Sequence, residues 1–249
     1  MPVKFENFSY SYTNSKGKPV FVPTPDGRRI GQQVKKLVEH SYTFDRFYRH
    51  FQAGAHVAAL HGHREHKWFA RIDLKNFFYN ISRQRVQRVL RGCGISRHEH
   101  FAKWSTVKTP VEGGSGYVLP YGFVQSPILA SLVLSESDLG RKLRNLPETV
   151  VVGVYLDDIS VSSDDETLLV ETFEQIVALV EPSGFLINLD KTEPPASNIS
   201  LFNCDLRMGY CSVTNERIAA FAAVTHSDQS EAGFEAYCVS VGRGNIPPS

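Results

Sequence analysis

The sequence predicts an α+β fold, short antiparallel strands backed by helices, and three observations predict it. Thr149 to Val154 is an apolar, β-branched run and Ile159-Ser-Val-Ser alternates with period two, so together they read as a hairpin with Leu156-Asp157-Asp158 at its tip. Phe69-Ala-Arg-Ile-Asp73-Leu74 reads as a second short, buried strand that delivers Asp73 at its end. Several stretches between and after these carry helical stripes with start and stop signals.

Taken in order, residues 1–30 are rich in Pro, Gly, Lys and aromatics, with turn signals at Lys16-Gly17-Lys18-Pro19 and Pro25-Asp26-Gly27, and predict an extended or hairpin-like entry. Val34, Leu37, Val38 and Tyr42 keep helical spacing. Ser82 is an N-cap candidate for a helix whose inner face is Val86, Val89 and Leu90. Arg85, Arg88 and Arg91 fall on its other face, where a solvated surface explains them as well as phosphate contact does. A Gly-rich loop over 110–122 precedes Ser126-Pro127, read as an N-cap with Pro at the first helical position. That helix is expected to run to about Arg144, with Ile128, Leu132, Leu139 and Leu143 inward. Ser163 or Asp164 caps the next, striped by Leu169, Phe173, Ile176, Val177 and Val180 and ended by Pro182 and Gly184. Short strands are expected near 185–189, 201–206 and 210–213, and in the tail only Ser230–Val241 reads as helical.

At 249 residues, 42% apolar and 21% charged, the chain has the composition of an ordinary globular protein. No basic-then-apolar leader and no membrane-length apolar run is present, and Cys93, Cys204, Cys211 and Cys238 show no CxxC spacing. A reducing cytoplasm and no membrane partner are therefore the expectation. The net charge of +1 hides a split: residues 1–110 hold 20 Lys+Arg against 7 Asp+Glu, and residues 111–249 hold 7 against 19. This asymmetry predicts a basic surface for a polyanion beside an acidic region that needs cations, with mutual neutralisation in the fold as the bland alternative.

Tyr155-Leu-Asp157-Asp158 is short, and adjacent aspartates in a tight turn can simply be turn formers. Its setting argues for chemistry, because a hairpin tip and the end of the Asp73 strand bring three carboxylates toward one sheet end. Such charges repel unless cations neutralise them. Mg²⁺ favours oxygen ligands and completes its shell with substrate phosphates, and two ions about 3.5–4 Å apart support phosphoryl transfer. The histidines His56, His61, His63 and His66 crowd the stretch before Asp73, but no acidic or cysteine partner completes a zinc pattern.

Five blocks, in order, resemble the motifs of reverse transcriptases. Asp73-Leu-Lys-Asn-Phe-Phe-Tyr-Asn-Ile81 is similar to the first catalytic motif, and Leu119-Pro-Tyr-Gly-Phe-Val-Gln-Ser-Pro127 to the loop-helix supporting the nascent base pair. Tyr155 to Asp158 resembles the catalytic hairpin, Gly184 to Thr192 the lysine-bearing element, and Phe202 to Ile218 the primer-gripping hairpin. The general look is of the prokaryotic enzymes of retrons, group II introns and phage defence.

The resemblance implies a right-hand polymerase with fingers at 1–68, a palm at 69–221 carrying a fingers-like insertion at 82–118, and a tail or vestigial thumb at 222–249, the palm being a ferredoxin-like antiparallel sheet. It implies RNA-directed DNA polymerase activity, with Asp73 and Asp157 bridging two Mg²⁺ ions (Mn²⁺ a substitute), Asp158 supporting them and the Leu74 carbonyl completing one shell. Lys191 is implied to assist pyrophosphate departure, and Phe78 to be the steric gate against a ribose 2′-OH. Tyr121, Gly122 and Gln125 are implied to contact the nucleotide, and Arg85, Arg88 and Tyr155 the nucleic acid. Implied partners are an RNA template, a DNA or RNA primer and dNTPs, with a non-coding RNA, a partner protein or a second copy standing in for the thumb.

The chain departs from the pattern in places. Tyr121 stands where most relatives carry Gln, Asn76 replaces a common aspartate, and Gln52-Ala-Gly-Ala55 replaces the finger arginines. Lys18, Arg29 and Arg49 are then the candidates for the triphosphate. Two other readings stay open, a non-templated or protein-primed nucleotidyltransferase and a silent RNA-binding relative, while the Leu119-Pro-Tyr-Gly122 loop, the Ser126-Pro127 helix start and the double phenylalanine argue against another palm enzyme such as a nucleotide cyclase.

Overall fold

The structure is a computed structural model and describes residues 5–15 and 17–246; Lys16 of the first turn signal therefore lies outside the described residues. The chain divides into two compact units, one of Met1–Asp45, Lys75–Lys142 and Leu179–Leu186, the other of Arg46–Leu74, Leu143–Ala178 and Ile187–Ser249. The elements in chain order are β1 (Phe8–Thr13), β2 (Pro19–Pro23), α1 (Pro25–Ser41), α2 (Ala55–His63), β3 (Trp68–Lys75), α3 (Arg83–Gly92), α4 (His98–Trp104), β4 (Val107–Lys108), β5 (Tyr117–Val118), α5 (Ser126–Ser135) and α6 (Asp138–Arg144). They continue with β6 (Val151–Tyr155), β7 (Asp158–Ser163), α7 (Glu166–Val180), β8 (Leu186–Ile187), β9 (Glu193–Ala196), β10 (Asn198–Leu201), β11 (Cys204–Arg207), β12 (Tyr210–Val213), α8 (Asn215–Ala222) and α9 (Asp228–Gly242).

In the first unit, β1 and β2 pair antiparallel around a turn in which Gly17 takes φ +72°. Pro25-Asp26-Gly27, expected to be a turn, is instead the first turn of α1. Thr24 Oγ1 accepts from the Gly27 N–H at 3.0 Å, and Pro25 occupies the first helical turn, where its missing N–H costs nothing. Ser82 caps α3, its Oγ accepting from Arg85 N–H, and Val86, Val89 and Leu90 are buried. The single helix expected to reach Arg144 is broken. Ser137 Oγ donates to Leu134 O at 2.6 Å, closing α5, and accepts from Gly140 N–H at 3.2 Å, opening α6. A serine able to satisfy both ends favours that break over continuation.

In the second unit the main sheet runs β6-β7-β3-β8, and β9 also pairs with β3. β3 and β7 are antiparallel with Ile72 opposite Ile159 and Asp73 opposite Asp158. Asp165, one residue beyond the expected caps, accepts from Leu168 N–H and starts α7. The expected strand near 201–206 is two strands of a separate sheet ordered β10-β11-β12. That sheet closes a core of Leu60, Phe69, Leu201, Leu206, Cys211 and Val213 under Val241 of α9. α9 is a turn longer than Ser230–Val241, and α8 has no counterpart in the periodicity. Arg64 ties down the end of α9 by donating to Arg243 O at 2.6 Å and Asn245 Oδ1 at 3.3 Å.

His63 is buried against β7. Ser160 Oγ donates to Gly153 O, so it accepts from His63 Nε2–H at 2.8 Å, while Ser162 Oγ donates to Nδ1 at 2.8 Å. A Cβ at Gly153 would lie 2.8 Å from Ser160 Oγ and 3.0 Å from His63 Nε2, which is why a glycine stands inside β6. Burial, then the nearby charges of Arg49 and His66, lower the His63 pKa to about 3. The imidazole therefore stays neutral in the folded protein, while the unfolded chain protonates it below its ordinary pKa of 6.5. This stability is complete above pH 6.5 and is lost as pH falls toward 3, by up to about 1.4 kcal/mol per pH unit. Denaturant titrations from pH 7 to 4 should show that slope, flatter in His63→Gln; an equal slope in both would assign acid sensitivity to other groups.

Candidate active site

Alternation along β3 puts Arg71 and Asp73 on one face while Ile72 and Leu74 face the other. Register then sets Asp73 opposite Asp158, and Leu74 N–H donates to Asp157 O at 2.8 Å, so the three aspartates gather at one end of the sheet. The β6–β7 connection is a two-residue turn, Leu156-Asp157, closed by Tyr155 opposite Asp158. Leu156 takes φ +57°, a left-handed conformation costing a non-glycine residue about 1–2 kcal/mol. Its N–H donates to His50 Nδ1 at 3.4 Å, and burial lowers the His50 pKa to about 4, so the acceptor stays neutral. A positive φ at the first central residue is what a two-residue hairpin turn requires.

Asp73 is 5% exposed, and its Oδ1 accepts from Asn188 Nδ2 at 2.9 Å. Its backbone N–H donates to Thr192 Oγ1, and its C=O accepts from Asn188 N–H. Arg71 forks onto Asp158, with Nε at 2.8 Å and Nη2 at 2.6 Å from Oδ1; Nη2 also stands 3.8 Å from Asp73 Oδ2, and Nη1 donates to Ser200 O. Burial raises the Asp158 pKa to about 6; Arg71 opposes that rise, and the charges of Asp157 and Asp73 add to it. Arg71, Asn188, Thr192 and His50 are contributors that the sequence alone did not single out. Lys191 follows on the same turn, exposed, its N–H donating to Asn188 O. Tyr155 sits in a ring cluster with His50, His56 and Phe202, at centroid distances of 5.5–5.8 Å.

Among the described residues no three His, Cys, Asp or Glu side chains meet as ligands for one metal ion. Asp158 is turned to Arg71. Asp73 and Asp157 offer carboxylate oxygens, the donor type that hard divalent cations take, so the chemistry of the set fits Mg²⁺. The histidines serve other partners: His61 meets Val241 O, His56 the Tyr237 hydroxyl, and His66 Asp164.

The other expected residues, Arg49 apart, belong to the first unit. Phe78 is buried, and Tyr121 packs on it. Gly122 takes φ +98°, and a Cβ there would lie 2.3 Å from Phe21 O, so only glycine fits. Gln125 is 1% exposed with its amide donating to Ser105 Oγ, a packed position unlike the open nucleotide contact expected of it. Arg29 pairs on the surface with Asp26. Arg85 donates to Asn80 O, Ser183 O and Gly184 O and lies over the Phe185 ring, so its guanidinium ties chain segments together, a role neither expectation covered. Arg88 is exposed and lines a cavity of about 730 Å³ with Tyr42, Glu136, Asp138 and Arg141. Arg49, in the second unit, is half-buried beside Gly62.

Antiparallel strands backed by helices make an α+β architecture consistent with polymerase fingers and palm. The family model for reverse transcriptase (RNA-dependent DNA polymerase) matches residues 11–215. The chain belongs to the reverse transcriptase family. A 75-residue stretch is 35% identical to the Pro-Pol polyprotein of simian foamy virus type 3 (strain LK3), covering 30% of this chain and 6% of the polyprotein. Among solved structures, the foamy viral protease-reverse transcriptase in complex with double-stranded DNA aligns with TM-score 0.56 at 19% identity, over 92% of this chain and 35% of that one. Apo telomerase from Candida tropicalis aligns with TM-score 0.57 at 10% identity, over 83% and 48%. The chain thus spans half or less of each of these relatives. No helix among the described residues is long and apolar enough to cross a membrane.

Proposed function

We propose that the chain is the catalytic core of an RNA-directed DNA polymerase that adds deoxynucleotides to a primer 3′-OH. The observation that carries this reading is the convergence of Asp73, Asp157 and Asp158 at one sheet end, on the strained Leu156 turn, within a chain of this family. Two divalent ions, when bound, polarise the attacking hydroxyl and stabilise the leaving pyrophosphate. Asp73 and Asp157 would hold them with the Leu74 carbonyl, and Mg²⁺ is the expected metal. Asn188 and Thr192 fix Asp73, and His50 fixes the turn carrying Asp157. Arg71 keeps Asp158 ionised beside them. Lys191 supplies positive charge, and a proton, toward the departing pyrophosphate.

In this reading residues 1–68 serve as fingers and 69–221 as palm with a fingers-like insertion at 82–118, and Lys18, Arg49 and exposed Arg88 are phosphate contacts. An RNA template with a DNA or RNA primer is the expected substrate, in a cytoplasmic setting. A role of the prokaryotic, phage-defence kind with a partner RNA, protein or second copy rests on the sequence resemblance alone. The test is incubation with Mg²⁺ and single dNTPs, with and without a primed RNA template. Template-matched addition supports the proposal; equal addition without template would replace it with a non-templated transferase, and none under either condition would overturn it.

Phe78→Ala is expected to admit ribonucleotides, because a methyl leaves room for the 2′-OH where a phenyl ring clashes. The measurement is the ratio of deoxynucleotide to ribonucleotide kcat/KM. An unchanged ratio in an active variant would move the gate elsewhere.

A further inference from the structure

Tyr121 makes more contacts than a nucleotide-facing loop residue needs. Its carbonyl accepts from Phe21 N–H at 2.9 Å, clipping the Leu119-Pro120-Tyr121-Gly122 loop to β2. Its ring centroid lies 4.8 Å from that of Phe78 and 5.1 Å, edge-on, from that of Tyr79. Its hydroxyl accepts from Lys18 Nζ at 3.1 Å, and that ammonium is 5.0 Å from the ring centroid. Tyr79 is itself fixed, donating its hydroxyl proton to Pro19 O at 2.7 Å. On its other side Phe78 meets Phe77, which packs on Phe185. Phe78, 8% exposed, is therefore held between two aromatic neighbours, and Tyr121 is the one anchored at three points.

We propose that Tyr121 is a positioning residue for sugar selection: its ring, anchored by β2 and Lys18, buttresses Phe78 and sets how strictly a ribose is refused. This rests on the reading of Phe78 as the gate. A glutamine at 121 presents no ring to Phe78, which then has one aromatic neighbour and freedom to rotate away from an incoming 2′-OH. The same contacts engage the Lys18 ammonium, so Lys18 serves the gate as well as any phosphate.

An aromatic pair is worth enough to change a ratio by about two- to twelvefold. Tyr121→Gln is expected to lower the deoxy- over ribonucleotide kcat/KM ratio by that factor, through faster ribonucleotide use rather than a general loss. Tyr121→Leu should lower it too, and Tyr121→Phe, which keeps the ring, should hold it. In a Phe78→Ala background Tyr121→Gln should have no further effect, the signature of a residue acting through another. The variants separate the failures. If Phe78→Ala relaxes selection but neither Tyr121→Gln nor Tyr121→Leu does, the buttress is wrong and the gate stands. An equal Tyr121→Gln effect in both backgrounds would show that Tyr121 meets the sugar itself. If Phe78→Ala leaves the ratio unchanged, the gate reading fails and this inference fails with it.

Discussion

Asp73→Asn and Asp157→Asn are each expected to lower nucleotide addition at least about 1000-fold, roughly 4 kcal/mol of transition-state stabilisation, with the fold intact. In the proposed mechanism, losing one carboxylate charge weakens the hold on the cations expected to neutralise both the attacking and the leaving oxygens. The fold should survive because asparagine keeps the relevant acceptor: its amide oxygen at position 73 can still accept from Asn188 Nδ2 as the Asp73 carboxylate does. At position 157 the residue sits in a two-residue turn, which asparagine suits. Primer extension at saturating Mg²⁺, with circular dichroism on the same samples, checks both parts. Turnover within tenfold of wild type in either variant would remove these residues from the site.

Arg71→Met is expected to destabilise the protein by about 3 kcal/mol in chelator, because it leaves the largely buried Asp158 carboxylate without its forked partner. For a chain of this size that corresponds to a Tm lower by about 6–12 °C. Arg71 also holds Ser200 O, so part of the loss should fall on the attachment of β10. Adding millimolar Mg²⁺ should recover more of the Tm in the variant than in wild type, since a cation can then take over some of the neutralisation. A melting curve that matches wild type in chelator would mean that Arg71 contributes nothing measurable to the acidic cluster.

Much of this site was legible in the sequence, and the reason is that its parts are local. Strand-then-Asp at 69–74, the hairpin around Leu156-Asp157-Asp158, and the Ser82 cap each depend on neighbours a few residues away. Arg71 was not legible, because its partner lies 87 residues along the chain and only the β3–β7 register brings them together. Asn188, 115 residues from Asp73, was hidden for the same reason. The break between α5 and α6 was missed because the inward stripe continues across it, and only the side-chain bonds of Ser137 reveal where the helix stops. Pro25-Asp26-Gly27 misled because the same residues suit a turn and a helix start, and Thr24 decides between them.

The closure of the core by Val241 bears on how the protein is made. Leu60 and Phe69 find their complete apolar surroundings only when Val241 has arrived, about 180 residues later in the same chain. At translation speeds of about 5–20 residues per second, those side chains wait roughly 10–35 s for their last partner. The second unit is assembled from three separated segments, so its sheet cannot finish as the ribosome delivers it. Expression at lower temperature or with chaperones that shield apolar surface should raise the soluble yield. A stop codon before Val241 should leave a chain that is synthesised but aggregates.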